Sequence, residues 1–285
     1  MDIGKVAVIG SGTMGNGIAQ VIAASGLEVV MTDINEAATQ RGVATVGKNL
    51  DRLIAKQKMT EAGKAAILGR IKTATALEAI AGCGLVIEAA TENVDLKLKI
   101  FADLDRLADA GAILASNTSS ISLTQIAAAT KRPPQVIGMH FFNPVPVMQL
   151  VEVIRALQTS DDTYAAVKAL AIKVGKTPVE VRNSPGFVGN RILLPMLNEA
   201  VFALYENLAT AEDIDTVMKL GMAHPMGPLA LADLIGLDTC LSILEVLYDG
   251  FRDPKYRPCP LWREMVDAGR LGRKSGRGFF DYSKK

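Results

Sequence analysis

Cysteine is scarce and scattered in this chain. Cys83, Cys240 and Cys259 are odd in number, far apart and form no CxxC pair, so neither a zinc site nor a disulfide framework is indicated. Charge of one sign is missing too: 31 Lys and Arg against 30 Asp and Glu leave +1, which is no electrostatic footprint for nucleic acid or an acidic membrane surface. No apolar run approaches the length of a membrane span. The first residues enter a strand directly, with no secretory-leader pattern. A reducing cytoplasm is the expected compartment, or a matrix-type one if a transit peptide has been removed. Histidines number two, His140 and His224. What is abundant is apolar sequence, 49% of 285 residues, enough for a substantial core in about two domains at roughly 150 residues each.

The most informative stretch comes first. Lys5–Ile9 is a short apolar strand rich in β-branched residues, followed at once by Gly10-Ser-Gly-Thr-Met-Gly15. Helical spacing runs over residues 16–25, a second strand over 27–32, and that strand ends at Asp33. Each part suits a dinucleotide. Gly10 permits the tight turn, Gly12 lets a pyrophosphate approach the backbone, and Gly15 lets the helix pack on the sheet. The helix start, including Thr13 and Met14, offers N–H groups to negative charge. Asp33 stands 21 residues beyond Gly12, near the spacing of about 20 for an acid that holds ribose hydroxyls. A carboxylate there favours NAD over NADP. Ile34-Asn35 offers no arginine to a 2′-phosphate, and Arg41 is too far along the chain to count.

Residues 36–58 and 60–68 read as two helices, longer than a βαβ crossover needs and so expected to project as an arm. Lys48, Arg52, Lys56 and Lys58 make the arm basic; from the residues alone this is a solvated face with charges favouring the helix C-terminus. A weak strand at 70–75, a strand at 85–89, a helix at 95–107 and a strand at 112–116 continue an α/β pattern. Glu92 and the polar run Ser116-Asn117-Thr-Ser119-Ser120 lie at strand carboxyl ends, where ligands collect in open α/β sheets. Strands at 135–139 and 150–154 flank His140-Phe-Phe-Asn-Pro, and the short gap between them makes His140 and Glu152 neighbours. A histidine oriented by a carboxylate is how a general base is built. His224, in a proline turn without an acid nearby, is structural.

After a last strand at 177–181 helical patterns take over: 188–205, 211–220, 229–248 and 261–268. The expected division is a Rossmann-type dinucleotide-binding domain over 1–185 and an all-helical domain over 186–285. The helical part carries more apolar surface than a small bundle hides, which points to a homodimer through that domain.

Taken together, Ser116-Asn-Thr-Ser119-Ser, His140-Phe-Phe-Asn-Pro and Pro185-Gly-Phe-Val-Gly-Asn190-Arg resemble the L-3-hydroxyacyl-CoA dehydrogenases along essentially the whole chain. Asn183-Ser-Pro-Gly replaces a common Asp-Thr-Pro-Gly without touching the chemistry. The resemblance implies NAD as cofactor, no metal, and an acyl-CoA substrate in the size range of acetoacetyl-CoA. It implies His140 as general acid/base steered by Glu152, with Ser119 and Asn190 at the reacting oxygens in a cleft between domains. It further implies coenzyme contacts from Glu92, Lys97 and Lys274, with Asn117 beside them, and CoA contacts from Asn49 and Lys56. A dehydrogenase of a free hydroxy or sugar acid is the alternative. A non-catalytic protein on the same fold is disfavoured by the joint presence of Ser119, His140, Glu152 and Asn190.

Overall fold

The computed structural model describes residues 3–283 and divides into two compact units, Met1–Ser184 and Pro185–Lys285. The first unit is built on one eight-stranded sheet: β1 (Lys5–Ile9), β2 (Glu28–Thr32), β3 (Ile71–Ala74), β4 (Leu85–Glu88), β5 (Ile113–Ser116), β6 (Val136–Phe141), β7 (Leu150–Arg155) and β8 (Thr177–Arg182). Their spatial order is β3-β2-β1-β4-β5-β6-β7-β8, and only the β6–β7 pairing is antiparallel. The helices are α1 (Thr13–Ala24), α2 (Glu36–Ala55), α3 (Glu61–Gly69), α4 (Val94–Leu107), α5 (Leu123–Ala128) and α6 (Asp161–Lys173).

Strands β4, β5 and β6 are buried along their whole length, and this is why they read as continuous apolar runs. The chain order reverses between β1 and β4, so their carboxyl ends open a crevice. Helix α1 begins at Thr13, inside the glycine motif, three residues earlier than its apolar spacing suggests, because the motif itself supplies the first turn. Helix α2 does not stand clear of the domain: Val46 and Leu50 are buried in the core, and Gly42 lies so close to Ser11 that a Cβ there would meet it at 2.9 Å. The arm therefore keeps one face on the glycine turn.

The second unit contains α7 (Gly189–Tyr205), α8 (Ala211–Leu220), α9 (Pro228–Ile235), α10 (Leu237–Phe251) and α11 (Pro260–Asp267) around a core of Leu197, Leu229, Leu244 and Trp262. The long helix expected over 229–248 is in fact two. Gly236 separates them at φ +107°, outside the helical region and accessible to glycine at little cost. Asp215 caps the start of α9 by accepting the Leu229 and Ala230 N–H groups at 2.8 and 2.9 Å. Among the described residues no helix is long and apolar enough to cross a membrane.

Candidate active site

The glycine turn is held by steric necessity at two of its three glycines. Gly10 adopts φ +97°, and a Cβ on it would stand 2.7 Å from the Ala89 carbonyl oxygen of the neighbouring strand end. A Cβ on Gly15 would stand 1.8 Å from the Gly10 oxygen. Gly12 is different: nothing lies within 4 Å of its virtual Cβ, so a side chain there would enter open space beside the start of α1. That helix has no side-chain cap and no acid in its first turn, so its first N–H groups can meet an anion.

Asp33 closes the far side. Its Oδ2 accepts the Ser11 N–H at 2.8 Å and the Ser11 hydroxyl at 2.6 Å, and its Oδ1 accepts the Ile34 N–H at 2.8 Å. Partial burial pushes the carboxyl up, but these hydrogen bonds and the Arg41 charge outweigh it and hold Asp33 below the usual 3.8. A cleft of about 540 Å³ runs from Ser11, Gly12 and Thr13 past Asp33 and Ile34 to Arg41 and Asn49. The residues fit a dinucleotide: a cradle that a Cβ would fill, unblocked helix N–H groups, and an ionised acid one helix-start away.

Arg41 departs from expectation. Eight residues separate it from Asp33 in sequence, yet the second turn of α2 brings it back to the same cleft. Asn49, two turns further on, lines the same cleft, with its Nδ2 donating to Gln20 Oε1 at 3.3 Å. Lys56 is the exposed residue that ends α2. It is absent from the cleft lining.

The antiparallel β6–β7 pair sets His140 directly opposite Glu152 in register. His140 Nδ1 lies 2.7 Å from Glu152 Oε2, with the His140 side chain 10% exposed and that of Glu152 3%. The Phe142 ring packs on the imidazole at 4.7 Å between centroids. With Nδ1–H given to the carboxylate, the basic lone pair is on Nε2. The connection between the two strands is fixed by buried Lys176, whose Nζ donates to the Val145 and Met148 carbonyls at 2.5 and 2.6 Å. Burial lowers the Lys176 pKa. Val145 in turn sits against Gly17 of α1, so this connection forms one wall of the cleft.

Glu92 follows β4 and Ser119 follows β5, and the two meet. Glu92 accepts the Thr118 hydroxyl at 2.7 Å, the Ser119 N–H at 2.8 Å and the Ser119 hydroxyl at 3.2 Å. Asn117 accepts the Phe141 N–H at 2.9 Å through Oδ1, which ties this loop to the residue after His140. Lys97 stands in the first turn of α4. It is buried, and its Nζ is bonded to Glu88 and, at 3.3 Å, to Ser116.

The helical unit carries the other two candidates. Asn190 is the second residue of α7. Lys274 pairs with Asp238 at the start of α10, Nζ to Oδ1 at 2.5 Å. Burial raises the Asp238 carboxyl, but the Lys274 hydrogen bond overrides this and lowers it. Among the described residues no group of three or more His, Cys, Asp or Glu is placed to hold a metal ion.

Residues 5–184 match the NAD binding domain of 3-hydroxyacyl-CoA dehydrogenase, and residues 186–282 match the C-terminal domain of the same enzymes. The chain belongs to the 3-hydroxyacyl-CoA dehydrogenase family. A probable 3-hydroxybutyryl-CoA dehydrogenase of Bacillus subtilis is 56% identical over 100% of this chain and 99% of that one. A 3-hydroxybutyryl-CoA dehydrogenase of Bradyrhizobium diazoefficiens is 53% identical over 98% of this chain and 96% of its own length. The crystal structure of (S)-3-hydroxybutyryl-CoA dehydrogenase PaaH1 from Ralstonia eutropha superposes with a TM-score of 0.97 at 61% identity, covering 99% of this chain and 100% of that one. The first unit is thus the family's NAD-binding domain.

Proposed function

We propose that this 3-hydroxyacyl-CoA dehydrogenase interconverts (S)-3-hydroxybutyryl-CoA and acetoacetyl-CoA, with His140 as the general acid/base. NAD supplies the hydride acceptor in one direction and, reduced, the donor in the other. In the oxidising direction His140 Nε2 takes the proton of the substrate hydroxyl as the C3 hydride leaves. Glu152 keeps the proton of the other ring nitrogen in place and stabilises the imidazolium that forms. In the reducing direction the imidazolium returns the proton to the 3-oxygen. No covalent intermediate is needed, so no nucleophile is assigned.

Ser119 is proposed to hydrogen-bond the 3-oxygen, and Asn190 to share the binding of the reacting oxygens. Preorganised donors of this kind contribute on the order of a few kcal/mol each. Asp33 takes the adenosine ribose hydroxyls, and exposed Ile34 beside it gives the adenine an apolar face. Asn49 and Lys56 are proposed as CoA contacts. A homodimer through the helical unit and a reducing compartment, in keeping with three buried thiols, complete the reading.

The single observation that carries it is the imidazole–carboxylate pair of His140 and Glu152 at 2.7 Å, in a chain whose relatives are named for this substrate. The test is loss of NADH absorbance when purified protein is given acetoacetyl-CoA. Turnover is expected. No turnover, combined with oxidation of a free hydroxy or sugar acid, overturns the reading in favour of the alternative.

A further inference from the structure

Two amides interrupt the buried, largely apolar face of α1, one turn apart. Asn16 is 6% exposed and Gln20 is 4% exposed, among buried Ile18, Ala19, Val21 and Ile22. Residues four apart lie on one side of a helix. Buried polar groups are hydrogen-bonded, so each amide needs a destination. Asn16 closes on its own motif: its Nδ2 donates to the Gly12 carbonyl at 2.5 Å and more loosely to that of Ser11 at 3.4 Å. Gln20 reaches out of α1 instead. Its Oε1 accepts an N–H from Asn49 Nδ2 on α2 at 3.3 Å. Hydride transfer uses neither group of this pair.

Asn49 is half-buried and lines the cleft, with the core residues Val46 and Leu50 beside it on α2. Exposed Arg52, one turn further on, donates to Asn49 Oδ1 at 3.4 Å. An asparagine amide carries two N–H donors and two acceptor sites. Gln20 takes one donor and Arg52 one acceptor site, which leaves one of each for a ligand. Gln20 also decides which way round the amide stands, since its oxygen accepts only from the nitrogen end. The terminal torsion of a free asparagine is broad and nearly two-fold, so without that contact donor and acceptor exchange places easily. Gln20 itself is absent from the cleft lining.

We propose that Gln20 is a positioning residue for acyl-CoA binding. It holds the Asn49 side chain in one orientation from beneath, so that the remaining N–H and acceptor site meet the CoA part of the substrate. Gln20 acts through Asn49 and not by touching the coenzyme or the reacting atoms. The inference rests on the dehydrogenase reading above and on the CoA contact given there to Asn49.

The test is a double-mutant cycle in steady-state reduction of acetoacetyl-CoA by NADH. It compares the parent, Q20M, N49A and Q20M/N49A. Methionine keeps the length of glutamine, suits a helix with apolar surroundings, and offers only a weak acceptor. For Q20M the KM for acetoacetyl-CoA should rise about fivefold, with kcat and the KM for NADH within about twofold of the parent. In the N49A background the same change should raise that KM by less than about 1.5-fold, because the group it positions is already gone. A Gln20 that only packs α1 on α2 would move both KM values together and cost the same in either background, and that result overturns the proposal. So does a Q20M variant with the parental KM for acetoacetyl-CoA. If Q20M does not fold, Q20L runs through the same cycle with the same pattern expected. A parent that does not turn over acetoacetyl-CoA fails the dehydrogenase reading and this inference together. A parental KM for acetoacetyl-CoA in N49A removes Asn49 from the CoA site, and this inference with it, while the reading of the reaction stands. Equal losses from Q20M in both backgrounds of an active parent fail this inference alone.

Discussion

His140 and Glu152 face each other across an antiparallel strand pair, with Nδ1 2.7 Å from Oε2. Each side chain is placed by its own strand, so little rotamer freedom is left to lose when the pair forms. Glu152→Gln keeps the shape but exchanges a carboxylate for an amide. The imidazolium then loses its counter-charge and the tautomer is no longer imposed. The kcat for acetoacetyl-CoA reduction should fall about a hundredfold with KM values nearly unchanged, as read by steady-state kinetics. A variant with parental kcat would remove Glu152 from the pair's function.

Gly12 and Gly15 should respond in opposite ways to the same methyl group. Gly15→Ala drives a Cβ to 1.8 Å from the Gly10 oxygen, so both thermal stability and NADH binding should drop. Gly12→Ala meets nothing within 4 Å and should melt with the parent. Its methyl occupies space the coenzyme needs, and NADH affinity should fall by about 1–3 kcal/mol. Thermal melting with and without NADH checks both. A Gly12→Ala variant that binds NADH normally would move the pyrophosphate elsewhere.

Asp33 is held below the usual 3.8 by Ser11, Ile34 and Arg41 against the upward push of burial. It is ionised throughout the neutral and mildly acid range, so its contribution to NADH affinity should stay constant there and weaken only as pH falls below 3.8. Removing the charge with Asp33→Asn leaves Arg41 as the nearest cleft charge. NADH affinity should fall about tenfold, and discrimination against NADPH should shrink by a similar factor. Arg41→Ala added to Asp33→Asn should take the NADPH gain back. Kinetics with both coenzymes measure this, and unchanged NADPH use in Asp33→Asn would contradict it.

Asp233 anchors residues 279–282 of the helical unit. It accepts the Phe279 and Phe280 N–H groups at 2.9 and 3.0 Å and the Tyr282 hydroxyl at 3.1 Å. Burial raises its pKa above 3.8 despite those bonds. Between 3.8 and the raised value the folded chain binds more protons than the unfolded one, so this group's contribution to stability falls as pH rises through that window and levels above it. Asp233→Asn places an amide donor against a backbone donor and should cost about 1–3 kcal/mol at neutral pH. It should also lack the falling limb. Denaturation as a function of pH tests both statements, and an unchanged profile would contradict them.

Much of this was legible in the sequence because the signals are local. The glycine turn, the acid after the second strand and the short return from His140 to Glu152 each depend on spacing within a few dozen residues. The misses are long-range. Gly236 sits in an apolar run where a helical glycine reads as tolerated, and only packing reveals its positive φ. The burial of Lys97 on Glu88 is not visible in the sequence either, since nothing local shows that the strand-end acid lies beneath the helix. Arg41 is remote from the glycine turn along the chain, but α2 folds back over Ser11 and returns it to the cleft.

The central claim is that one imidazole handles the proton while its neighbourhood holds the coenzyme. Single-turnover hydride transfer from NADH to acetoacetyl-CoA in His140→Gln, with NADH affinity measured on the same sample, tests it most directly. The account predicts a rate roughly a thousandfold below the parent with NADH affinity within about a factor of two. A hydride-transfer rate close to the parent's would contradict it.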